Sequence, residues 1–103
     1  MKPRMRKTLT DVRGLIAEHG WIQGKMFDNH HGYCLTGACI AVAGFANDHC
    51  TNAIRMLVEQ IPDAPKVIHP ELPHSAYLMS FNDTPGRTKE EALTLIDNAL
   101  KET

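Results

Sequence analysis

The stretch LTGACIAVAGFA, residues 35–46, decides the fold. It is apolar almost throughout, and Gly37, Ala38, Ala41 and Ala43 are small residues at a spacing that lets a second helix pack closely. Its polarity is too low for a surface helix, so the segment predicts a short buried helix with the other elements arranged around it. The chain offers no strand signal of comparable quality. The expected fold is therefore all-α: a single compact domain of four or five short helices around a Gly/Ala-rich central helix.

Towards the C-terminus, Asn47 and Asp48 can cap a helix whose Ala53, Ile54, Leu57, Val58 and Ile61 keep a helical period until Pro62 stops it. Prolines 62, 65, 70 and 73 then predict an irregular crossing. Residues 75–81 fit either a helix or a short strand, and helix is preferred because no second strand is evident to pair with them. Thr84-Pro85-Gly86 has proline and glycine at the centre of a type II turn. Thr88 with Glu91 forms a capping box ahead of Leu93, Leu95, Ile96, Ala99 and Leu100, so the chain closes on an amphipathic helix.

Towards the N-terminus, Thr8 followed by Asp11 reads as a helix start, and Leu9, Val12, Leu15 and Ile16 carry that helix to about residue 19. Gly20 sits where a C-terminal cap is wanted, and Trp21 is placed to fold back on Ile16. Gly14 inside the helix costs about 1 kcal/mol relative to alanine, which suggests a neighbour's backbone close by. Residues 1–7, with Lys2, Arg4, Arg6 and Lys7, read as a basic, solvated tail, leaving 8–103 as the domain. Between Gly24 and Tyr33, Asp28-Asn29-His30-His31-Gly32 predicts an exposed loop.

Among the 103 residues, 11 Lys and Arg against 12 Asp and Glu leave a formal charge of -1, without the basic footprint that draws a protein to phosphate backbones. Nucleic acid is not an expected partner. No apolar run approaches the roughly 20 residues of a membrane span, and none follows the basic cluster as a signal peptide would require. An odd count of 3 cysteines points to reduced thiols and a cytoplasmic setting, bacterial or in an infected host cell. No motif calls for a cofactor.

Three constellations invite chemistry. His30, His31, Cys34, Cys39, His49 and Cys50 contain the residue types of a zinc site. Cys39 falls inside the apolar helix, however, where a thiol acts as a small hydrophobe, so the metal candidates reduce to His30, His31, Cys34, His49 and Cys50. Cys34 is also a candidate nucleophile: it opens a helix whose dipole could lower its pKa, with Gln23 before it and histidines and Asn82 or Asp83 after it. Near the end, Arg87 and the adjoining helix N-terminus offer a guanidinium and amide groups to an anion, whereas Asn82 and Asp83 are ordinary turn formers.

Trp21-x-Gln23-Gly24, Cys34-Leu35-x-Gly37-Ala38, and Asn82-Asp83 with Arg87-Thr88 together resemble an uncharacterised family of small helical proteins from actinobacteria and their phages. The similarity runs from Trp21 onward and carries no reaction with it. Phe81 stands where that family commonly has tryptophan, and Thr36 and Cys39 also depart from its pattern. The resemblance implies that Trp21, Gln23, Cys34, Gly37, Asn82, Asp83 and Arg87 lie together. One arrangement is a small pocket in which Trp21, Gln23, Cys34, Asn82, Asp83 and Arg87 bind a ligand; the other is a structural clasp in which a buried amide satisfies backbone groups.

The expected function is non-enzymatic binding of a host protein or of a small anionic, nucleotide-like ligand, and through the resemblance a phage accessory or counter-defence role. The alternatives are a small enzyme using Cys34 or a Cys/His metal site, and a homo-oligomeric module in which the last helix pairs two copies.

Overall fold

In a computed structural model, residues 3–45, 47–62 and 73–103 are described. They form α1 (Pro3–His19), β1 (Phe27–Asp28), β2 (Gly32–Tyr33), α2 (Leu35–Ala43), α3 (Asp48–Glu59), α4 (His74–Asp83) and α5 (Lys89–Lys101). The fold is all-α apart from the two-residue antiparallel pairs Phe27 with Tyr33 and Asp28 with Gly32. The expected crossing over 63–72 lies outside the described residues, as does Ala46.

The central position predicted for the small-residue helix is what the packing requires. Helix α2 touches α1, α3, α4 and β2, and Leu35, Thr36, Gly37, Ala38 and Cys39 are all buried. Around it, Leu9, Val12 and Ile16 of α1, Leu57 of α3, Leu78 of α4 and Ile96 of α5 are fully removed from solvent. The helix stops earlier than residue 46. Gly44, at φ +92°, donates its amide to Ile40 O at 2.8 Å and turns the chain out. Asn47 then caps α3 by accepting from the Cys50 amide at 3.0 Å.

Helix α1 corrects the sequence reading at three points. It begins at Pro3, a residue suited to a first helical turn, so residues 3–7 are helix rather than tail. Met5 is buried, and the Arg6 guanidinium reaches Thr103 Oγ1 at 3.2 Å. Thr8 is inside the helix, its hydroxyl donating to Arg4 O at 3.0 Å, and is not a cap. No neighbour approaches Gly14: a Cβ built there meets nothing within 4 Å.

Residues 75–81 are helical, within α4. That helix continues through Asn82 and Asp83, which are its last residues and not turn formers. The turn comes next: the Arg87 amide donates to Thr84 O at 3.0 Å across Pro85 and Gly86, with Gly86 at φ +86°. Thr88 and Glu91 then form the predicted capping box, with Glu91 N donating to Thr88 Oγ1 at 3.1 Å and Thr88 N to Glu91 Oε1 at 3.0 Å.

Candidate functional site

The segment between α1 and α2 is pinned backbone against backbone. Gly20 ends α1 at φ +106°, donating to Ile16 O at 2.9 Å, and Gly32 crosses it at φ +117°. A Cβ on either glycine would overlap the other segment's backbone. This close approach lets Tyr33 N donate to Gly20 O at 3.0 Å and Ile22 N to Tyr33 O at 3.1 Å. Further along, Cys34 N donates to Met26 O at 3.1 Å, and the same Met26 carbonyl sits where a side chain at Gly37 would be. The hairpin therefore lies directly on the first turn of α2.

The other end of this segment is held by α4. Asn82 is fully buried and its side-chain amide is saturated. Its Oδ1 accepts from Trp21 Nε1 at 2.7 Å and from Leu35 N at 3.0 Å. Its Nδ2 donates to Ile22 O and to Asp83 Oδ1, each at 2.9 Å. One side chain thus joins the turn after α1, the first amide of α2 and the last turn of α4. Gln23 Nε2 donates to Asn82 O at 3.0 Å and Thr84 O at 2.9 Å, and Gly24 N donates to Asp83 Oδ1 at 3.1 Å. Arg87 Nε donates to Phe81 O at 2.9 Å while its guanidinium carbon lies 3.8 Å above the Phe81 ring. These donors answer the carbonyls that the end of a helix leaves without partners.

A second feature has no counterpart in the sequence reading. Met26 and Phe27 are 39% and 48% exposed, in a loop expected to be polar at its tip. With Tyr33 of β2 and Gly37, Ile40 and Ala41 of α2 they line an open, apolar cavity of about 300 Å³. The Phe27 and Tyr33 rings pack with centroids 4.8 Å apart, which fixes one wall. The signal that could have found it was the adjacent pair Met26-Phe27, too apolar for an ordinary solvated loop.

Trp21, Gln23, Asn82 and Asp83 thus form one hydrogen-bonded cluster with Arg87 on the adjoining Phe81 carbonyl, and a family profile matches residues 1–102. The chain belongs to DUF6197, a family of unknown function. No curated protein and no solved structure matches it.

In this DUF6197 member Trp21, Gln23, Asn82 and Asp83 are joined directly, and each uses side-chain polar atoms on the others or on nearby backbone. Cys34 caps α2, its Sγ accepting from Gly37 N at 3.2 Å, and it is 2% exposed. Burial pushes its pKa up and the charge of Asp83 adds to the rise, against the opposing pull of the Gly37 and Thr36 amides. A nucleophilic cysteine needs the reverse shift and an open approach, so the Cys34 environment is that of a structural thiol. Cys39 and Cys50 are likewise buried, and burial raises both.

The metal candidates His30, His31, Cys34, His49 and Cys50 are not assembled: among the described residues no three His, Cys, Asp or Glu side chains are placed to hold an ion. His30 and His31 sit at the hairpin tip, where His31 Nδ1 lies 2.9 Å from Asp28 Oδ1 and the His30 amide donates to the same oxygen. That amide, His31 and Lys25 hold the Asp28 carboxyl well below the usual range. Among the described residues no helix is long and apolar enough to cross a membrane.

Proposed function

We propose that this DUF6197 member is a non-enzymatic binding protein that holds a partner polypeptide on the apolar face formed by its hairpin and α2. The supporting observation is the cavity of about 300 Å³ under exposed Met26 and Phe27. Large apolar side chains left at the surface beside a groove favour contact with another protein. The cavity is at the lower end of the size of small-molecule sites and open at its rim, which suits an inserted aliphatic or aromatic side chain. The finer form of the reading, a phage accessory protein acting on a host protein, takes the partner to be that host protein.

The rival binding site, a nucleotide-like ligand between Gln23 and Asn82, has less support because those amides are bonded within the chain. Pairing of two copies through α5 also has less: Ala92, Leu95, Ile96 and Ala99 already form part of this chain's own core.

The test is selection of binders from a random peptide library on the immobilised protein. Enriched peptides should share an apolar anchor and weaken about thirtyfold against Phe27→Ser, the effect of losing a ~2 kcal/mol anchor. Phe45, 79% exposed and outside the groove, supplies the control Phe45→Ser. Peptides that bind Phe27→Ser as well as they bind the parent protein would refute the groove as the binding face.

A further inference from the structure

A second cavity, of about 150 Å³, lies away from the hairpin, between the C-terminal end of α3, the last turn of α4 and one face of α5. It shares no lining residue with the groove. Its walls include Gln60, Phe81, Arg87, Glu91, Leu95 and Asn98. We infer that this cavity is a binding site for a small aliphatic monocarboxylate, with the Arg87 guanidinium receiving the carboxylate.

The position of Arg87 is set before any ligand arrives. Its Nε donates to Phe81 O at 2.9 Å, its guanidinium is stacked on the Phe81 ring, and Nη1 donates to Glu91 Oε2 at 3.2 Å. The side chain is only 22% exposed. Of the five N–H donors that an arginine carries, those of Nη2 have no hydrogen-bond partner among the described residues. A pre-positioned Nη2 with free N–H groups suits a carboxylate oxygen, and little side-chain entropy is lost when it engages.

The surroundings select the ligand's charge and tail. Arg87 and Glu91 sum to zero, so a monoanion leaves the site with one net negative charge and a phosphate dianion with two, beside a Glu91 carboxylate that repels both. Phe81 and Leu95, 8% and 3% exposed, give an apolar floor for a hydrocarbon tail, and Gln60 and Asn98 place uncharged amides at the walls. At roughly 30 Å³ per displaced water, the volume suits a group of about five heavy atoms or slightly more. That chemistry belongs equally to a free short-chain acid and to the C-terminal residue of a peptide.

Titration of the ¹⁵N-labelled protein distinguishes these. Sodium valerate should shift the backbone amides of residues 60, 87 and 98 to saturation, and the isosteric neutral valeramide should not. A peptide ending in free valine, against its C-terminally amidated form, shows whether a chain terminus is the better source; saturation by either carboxylate supports the site. Arg87→Lys keeps the charge but loses the held Nη2 donors, and should weaken binding about tenfold, the effect of one charge-assisted hydrogen bond. Asn98→Asp, which disturbs no hydrogen bond of the clasp, should abolish binding by adding a carboxylate to the wall. Equal shifts with valeramide, non-saturating shifts with both carboxylates, or unchanged binding in Asn98→Asp would each overturn the inference. None of these results bears on the hairpin groove.

Discussion

Replacing Asn82 by alanine is the most severe single perturbation of the clasp. The substitution leaves the Leu35 amide without its acceptor in a fully buried position, and removes partners from the half-buried Trp21 indole N–H and Ile22 carbonyl. A buried polar group left unpaired costs about 1–3 kcal/mol, and the two half-buried groups less because water can reach them. The total comes to about 3–5 kcal/mol, against the roughly 5–15 kcal/mol by which small domains are stable. With a urea m value of roughly 1–2 kcal/mol/M the unfolding midpoint should fall by about 1.5–5 M, read by circular dichroism.

Asn82→Asp sharpens the test. The new carboxylate keeps the acceptor for Trp21 and Leu35 but turns an oxygen towards the Ile22 carbonyl and the Asp83 carboxylate, where Asn82 Nδ2 donates now. Its pKa should rise in the folded state, so the folded chain binds the extra proton and stability falls as pH increases. The deficit relative to the parent protein should therefore be smaller at pH values below about 3.9, where the unfolded aspartate is also protonated, than at neutral pH. A loss under about 1 kcal/mol for Asn82→Ala, or a pH-independent deficit for Asn82→Asp, would show that the network does not carry the stability assigned to it.

Gly14→Ala should stabilise the protein by about 1 kcal/mol, since the position is helical and open, and a raised thermal midpoint would show it. Gly37→Ala should do the opposite by about 1–3 kcal/mol, because the added methyl meets the Met26 carbonyl; the hairpin amides should shift in the NMR spectrum of whatever remains folded. The three buried thiols are all raised by burial, so the folded state retains protons that the unfolded chain releases. Stability under reducing conditions should consequently decline as pH rises above about 8.5, and a Cys39→Ala variant should show a shallower decline.

The parts of the fold legible in the sequence are those whose causes are local. The capping box of Thr88 and Glu91, the cap at Asn47 and the turn over Pro85 and Gly86 depend on residues a few positions apart, and all are present as read. Thr8 and Asp11 have the same local signature but do not start the helix, because it is already running from Pro3 and Met5 is drawn into the core. Asn82 and Asp83 pass for turn residues in the sequence because both favour turns in isolation. What holds them in α4 comes from Trp21, Ile22, Gly24 and Leu35, partners distant in sequence that no local pattern shows. The juxtaposition of Trp21, Gln23 and Asn82 was reached through the family resemblance; the use of their polar atoms on one another was not.

The Asn82 amide also ties together distant parts of the chain. It joins residues 47 and 61 positions apart, so a long loop must close before those contacts are rewarded. During synthesis, Met26 and Phe27 leave the ribosome well before α4 exists to brace the hairpin. A chain truncated ahead of residue 74 would carry every residue of the groove yet lack the frame that shapes it, so the peptide binding proposed for the groove would report on completion of the fold as well as on the groove's own sequence.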